Sequence, residues 1–357
     1  MVCLKPASQP RRIFSPSFST SSTIYTLSIN CMGTPAEMTT SANGQVSYQI
    51  PISQAVSLVP SLAAQFAREY PGVMDGFFPE RFISELIATC SYGGYGNLPS
   101  TFRVACAEIE QKSCLAGVEL YNKIVIATLI VDFGRRAQKL FPASVASQYE
   151  AEFRRILEQF NTNPGGFYVH ENDLFNKDLA ICRGKLIPCG AELVDEFSGV
   201  PRSTAFRDGT DQLLRVLWFF TARSKGFRPF YEMHMDPRSR RQFTPEGWDR
   251  CYLRVADLLE MNAQIKGLFG SSWWYDPKVE EITPNLGFLR RRPLENGACI
   301  FRMGSDEAAV GNATRFSRLR RERYERGEYM PTNYLMVWGR DDLLGWAKHA
   351  RAEGLQA

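Results

Sequence analysis

Residues 230–250 read FYEMHMDPRSRRQFTPEGWDR, which sets a histidine and two acids on an apolar stretch, then a basic turn, then the opening of a helix. Three readings compete for it. In the first, His234 and Asp236 form an H-x-D pair that, with His170 or His349 as a distal ligand, makes the two-histidine, one-carboxylate set of a non-haem iron site. In the second, Arg238, Arg240 and Arg241 face the N-terminal amides and dipole of the following helix, a combination that suits a phosphate. In the third, the stretch is a half-buried strand whose outward residues include charges, and the arginines belong to a solvated turn.

The elements that must hold these residues are legible nearby. Thr244 suits an N-cap, Pro245 fits the first helical turn, and Trp248, Tyr252, Val255 and Leu259 fall on one helix face. On the preceding strand Glu232 and His234 are two residues apart and so share a face. GSSWWYDP (270–277) puts two hydroxyl residues, three aromatics and an acid beyond an apolar run, as a pocket wall or as core packing. RFSRLRRERYERG (315–327) sets six arginines against Glu322 and Glu325, either to meet phosphates of RNA or of a carrier's prosthetic group, or as a mixed-charge surface helix.

Composition narrows the classes further. At 357 residues, with 44% hydrophobic and 12% aromatic residues, the chain suits two domains, or one large domain with an extension, around a substantial core. A net charge of +4 gives no reason to expect nucleic-acid binding across the whole surface. Nine scattered cysteines without a CxxC pair favour reduced thiols over a disulfide framework or zinc ribbon. The apolar runs IVIATLIV (124–131) and VLWFFTA (216–222) fall short of the roughly 20 residues that span a bilayer, so no membrane partner is expected. Residues 1–36 hold Lys5, Arg11 and Arg12, many Ser and Thr, and no acid. That is the composition of an organelle transit peptide, or of translation read from upstream of Met32 or Met38. The expectation is a disordered leader over 1–45, with cytoplasmic residence, or organellar residence if the leader directs transit.

From 46 to 165 the periodicity is helical, in SQAVSLVPSLAAQFAREY, PERFISELIATC and SQYEAEFRRILEQF, with a glycine-rich loop at 90–100. After NTNPGG (161–166) the texture changes, and 179–203 reads as two strands around a turn, ending near Ser198. Helices over 209–226, 244–262, 278–291 and 305–328 then alternate with strands over 227–235, 265–275, 297–304 and 332–339. The fold class that follows is α/β with mixed character: a central mixed sheet flanked by helices over 166–357, preceded by the helical region.

In the order strand, MDPRSRRQFTPEG, helix, strand, short helix, strand, residues of about 175–305 resemble the GNAT acyltransferase superfamily. In that family a central strand gives way to a basic, glycine-containing turn that holds the coenzyme A pyrophosphate at a helix N-terminus. The resemblance implies that Met235–Asp236–Pro237 stand for the strand end, that Arg238, Arg240, Arg241 and Gly247 stand for the phosphate turn, and that 285–297 stands for the later helix. It also implies an acyl-CoA or other acyl-thioester donor, a small-molecule amine as acceptor, Glu232 or His234 as general base, and Tyr275 as the acid that protonates the departing thiolate. The family's R/Q-x-x-G-x-G/A loop is absent, which leaves an aminoacyl-tRNA or an acyl carrier protein open as donor. A non-catalytic protein- or anion-binding module is the competing class. The iron reading, which superficially resembles the 2-oxoglutarate oxygenases, is third, because long helices interrupt the consecutive strands such enzymes need. No metal is expected.

Overall fold

The computed structural model describes residues 49–88, 94–136 and 141–357, all within one compact unit. The leader and the first part of the 90–100 loop lie outside the described residues. Five helices come first: α1 (Gln49–Glu69), α2 (Glu80–Ala88), α3 (Ser100–Arg136), α4 (Ala143–Glu158) and α5 (Asp173–Arg183). Their apolar residues recur at helical spacing and pack on one another through Phe66, Phe102, Tyr121, Phe133, Tyr149 and Phe153, all buried. By length and composition α3 is apolar enough to cross a membrane, beyond what its short apolar runs suggest. In the folded chain it is the central helix of this layer, with Leu120 to Ile130 largely buried against its neighbours.

A six-stranded sheet follows, built from β1 (Leu186–Pro188), β2 (Glu192–Ser198), β3 (Phe230–Met235), β4 (Gly267–Ser272), β5 (Cys299–Gly304) and β6 (Asn333–Gly339) in the order β1-β2-β3-β4-β6-β5. The mixed sheet with flanking helices is the expected class. Its first strand is shorter than read from sequence. LAICR closes α5, where Gly184 caps the helix in the left-handed region, because α5 is buried on nearly every side and its continuous apolar run imitates a strand. All neighbouring strands are antiparallel except β3 and β4, which α7 (Pro245–Met261) connects.

Beyond β4 the chain forms α8 (Pro277–Ile282) and α9 (Phe288–Glu295), separated by a single turn at Pro284. The helical stretch after β5 is likewise divided, into α10 (Glu307–Thr314) and α11 (Arg318–Glu325), because Ser317 leaves the helix to cap the second piece. After β6, α12 (Arg340–Ala352) packs beside α7. Strand alternation sends Tyr231, Met233, Leu268, Met336 and Trp338 toward α7 and α12, and Phe230, Phe269, Leu335 and Val337 into a second core on the opposite face.

That second core is closed by an excursion. β2 and β3 are antiparallel neighbours, yet residues 199–229 run between them in place of a tight turn and carry α6 (Gly209–Trp218), which a π-helical turn at Phe219–Arg223 extends. Val216, Phe219 and Phe220 bury against the sheet. Gln212 donates to the Arg302 carbonyl and accepts from the Arg302 amide, at 2.9 and 2.7 Å, so one side chain fills the free edge of β5 as a strand would.

Candidate functional site

β3 and β4 pair over only two positions, Tyr231 with Leu268 and Glu232 with Phe269. Beyond them Met233–Met235 stay paired to β2, and Gly270–Ser272 stay paired to β6. The strands therefore part at their carboxyl ends, the position at which open α/β sheets take ligands. A cleft of about 270 Å³, measured out to solvent, lies there. Met233 and Met235 line one wall, Gly270 and Ser271 the other, with Trp248, Trp274, Tyr275 and Glu192 around them. Gly270 keeps it open, since a Cβ there would lie 2.8 Å from the Met233 methyl and 3.6 Å from the Tyr275 hydroxyl.

The polar atoms of this cleft are buried and poorly paired. Trp248 Nε1 and Glu192 Oε1 lack a hydrogen-bond partner, and Trp274 Nε1 and Tyr275 Oη have only each other, although native interiors rarely leave such groups unsatisfied. Three of the four can donate, so the cleft suits an acceptor such as a carbonyl oxygen. Glu192 is 1% exposed, and burial pushes its carboxyl well above the usual range, against the Lys177 ammonium and helped by Asp236. Burial also raises the Tyr275 phenol, so that it donates a hydrogen bond while keeping its proton.

Glu232 and His234 point to the opposite face of β3. The Glu232 carboxylate accepts from the Ser198 hydroxyl and stands 3.9 Å from His234 Nε2. His234 meets the Tyr95 ring edge-on at 4.9 Å, and its Nε2 is buried without a hydrogen bond. Burial lowers its pKa; Glu232 and Asp195 oppose the shift, and the Lys177 ammonium adds to it. The imidazole is thus neutral at neutral pH. The structure brings Glu232 and His234 together and sets Tyr275 across the sheet from them, with the parting of β3 and β4 in between.

The basic turn divides in two. Arg238 is turned inward, 2.8 Å from Asp178 on α5 and 2.7 Å from Asp236, while Arg155 on α4 reaches Asp178 at 2.6 Å. Its charge is neutralised within the fold. Arg240 and Arg241 stay exposed, with Arg240 4.8 Å above the ring of the exposed Phe316. Gly247 is buried for steric reasons, since a Cβ would meet the Gln242 carbonyl at 2.0 Å. The amides of the first turn of α7 are already used. Gly247 donates to Thr244 Oγ1 at 3.1 Å and Trp248 to the Thr244 carbonyl at 3.0 Å, Pro245 has no N–H, and the Glu246 carboxylate is held low by its own amide and the Thr244 hydroxyl.

Among the described residues no group of three His, Cys, Asp or Glu gathers as a metal-ligand set. His170 sits between Phe102 and Phe175, with both ring nitrogens buried, and His349 is exposed on α12. Sequence reasoning offered GSSWWYDP, with Trp274, as a pocket wall, and missed Glu192 and Trp248 as site residues. The only signal for the first was an acid in phase with Val194 on a strand.

No protein-family model and no curated protein matches the chain. Similar solved structures include an acyltransferase in complex with CoA and 10C-teicoplanin, 15% identical over 78% of each chain with a TM-score of 0.36. Another is an acyltransferase in complex with decanoyl-CoA and teicoplanin, 14% identical over 80% of this chain and 87% of that one, with a TM-score of 0.37. A likeness of that size leaves the function of this chain to its own residues.

Proposed function

We propose that the chain transfers an acyl group from a thioester to an amine, with the thioester carbonyl lodged where β3 and β4 part. The observation that carries this reading is the set of buried donors gathered around that cleft, with the Trp248 indole N–H unpaired. The Trp248 indole N–H and a Tyr275 phenol that keeps its proton suit a carbonyl oxygen, and suit better the oxyanion it becomes under attack. The unladdered edges of β3 and β4 offer backbone groups to an extended, amide-bearing donor arm. Because α7 spends its own amides, the phosphate end of such a donor falls to the side chains of Arg240 and Arg241.

On this reading His234, neutral and facing the other side of the sheet, takes the proton of the attacking amine, and Glu232 stabilises the imidazolium that results. The C–N bond forms and the C–S bond breaks. The thiolate, with a thiol pKa of about 8.5, receives a proton from Glu192, a better match than a phenol whose pKa lies above 10. Tyr275 then serves as an oxyanion donor rather than as the acid.

Thermal unfolding with CoA, acetyl-CoA and octanoyl-CoA tests the reading, because a ligand of the folded state raises the melting temperature. A saturable rise is expected, abolished in Gly270→Val, which fills the cleft, and weakened when Arg240 and Arg241 are both changed to Ala. No rise with any of the three would overturn thioester binding. The binding-module alternative predicts that outcome together with retention of an acidic partner through the same arginines.

A further inference from the structure

We infer that the outer face of α6 is a docking surface for an anionic lipid bilayer. α6 carries two apolar stripes. Gln212, Val216 and Phe219 bury against the sheet, while Leu214, Leu217 and Trp218, at spacings of three and four on the opposite side, are 65%, 45% and 54% exposed. Phe206, in the short 3-10 turn that packs on α6, is 78% exposed. A surface helix ordinarily turns charged and polar residues outward. The 31 residues between β2 and β3 carry this stripe on the side of α6 away from the core that the excursion closes.

Charge selects the occupant. The excursion holds six cations, Arg202, Arg207, Arg215, Arg223, Lys225 and Arg228, of which Arg223 is paired with Asp342, against Asp208 and Asp211. Two copies pressed together through this face would bring like charges into contact, so self-association is disfavoured. The apolar side chains stand out into solvent, as side chains that enter a soft layer must. Arg223, held by Asp342, lies 5.5 Å over the Trp218 ring and fixes that exposed aromatic in place. Exposed Leu, Trp and Phe in one segment with arginine and lysine match the composition of surfaces that lie in the headgroup region of anionic membranes. Such a contact lies on a bilayer and differs from a membrane span.

The test is co-sedimentation of the full chain with phosphatidylcholine vesicles and with mixed phosphatidylcholine–phosphatidylserine vesicles. Binding is expected to the mixed vesicles only and to weaken with added salt. The Leu214→Ser, Trp218→Ser double variant is expected to lose about tenfold or more of that binding with an unchanged melting temperature, since both side chains are already exposed. Wild-type protein that stays in the supernatant with both vesicle types, or a variant that binds as well as the wild type, overturns the inference. So does size exclusion showing a wild-type dimer that the variant breaks without vesicle binding, which would make the occupant a second copy. None of these outcomes depends on thioester binding.

Discussion

Glu192 opens β2 directly opposite Met235, the last residue of β3, and this register places its carboxyl under the parting of β3 and β4. An acid at the first position of a strand would ordinarily face water. Here Trp248 and Tyr275 close over it, and burial holds the proton on. Because the folded pKa lies above the unfolded one, the native state binds more protons than the unfolded chain between the two values. Its contribution to stability is present in full below the unfolded pKa, and is lost as pH rises through the folded one. Glu192→Gln is expected to flatten that decline, so that the variant gains on the wild type at alkaline pH. Parallel pH–stability curves for the two proteins would refute the buried acid. If acyl transfer is confirmed, the same variant should release thiol from acetyl-CoA at least about a hundredfold more slowly, the usual scale for losing a general acid.

Arg238 and the pair Arg240–Arg241 should separate cleanly. Replacing Arg238 with Ala leaves Asp236 and Asp178 with a guanidinium missing, at a cost of about 3 kcal/mol, since breaking a buried pair strands its charge. The Arg240→Ala, Arg241→Ala variant forfeits one exposed cation–π contact and should lose less than about 1 kcal/mol. Denaturant midpoints decide the matter. Equal losses would mean that the inward ion-pair network does not hold the turn.

A methyl group added at Gly247 provides a third check. Helix propensity alone makes Gly247→Ala stabilising by up to about 1 kcal/mol, but the new Cβ would meet the Gln242 carbonyl at 2.0 Å, and backbone cannot swing aside as a side chain can. Overpacking of this kind costs about 1–3 kcal/mol and should win. A melting temperature at or above that of the wild type would show that the turn has room.

What the sequence shows and what it hides follow from where each residue draws its environment. α7 was legible because Thr244, Pro245 and the spacing from Trp248 to Leu259 are local facts, and the structure caps and buries them as read. The alternation that set Glu232 and His234 on one face is equally local. Glu192 was not legible, because its burial comes from a register formed with a strand about forty residues later and from a helix stacked above both. Gly247 was visible as a glycine in a basic turn, but the reason for it, a carbonyl five residues earlier folded back against α7, is tertiary. LAICR misled because α5 buries its polar face in ion pairs, which removes the periodicity that marks a surface helix.

His234 provides the last test, and here the sign is opposite to that of Glu192. Its imidazole is held neutral by burial, with Glu232, Asp195 and Asp173 pulling toward the charged form and Lys177 against it. Between the folded pKa and the unfolded value of about 6.5 the unfolded chain binds the proton that the native state refuses, so stability falls as pH drops through that window. Each unit of depression costs about 1.4 kcal/mol at the acid end. His170, also lowered by burial, contributes in the same direction and serves as the comparison. Unfolding measured from pH 7.5 to about 5 should show the wild type losing more stability than either His234→Leu or His170→Leu. On the proposed scheme only the first should also abolish amide formation in a protein that still binds thioester, because there the neutral His234 imidazole is the base. Loss of acid sensitivity with amide formation intact would leave His234 as packing against Tyr95 and pass the base role to Glu232, the carboxylate 3.9 Å away.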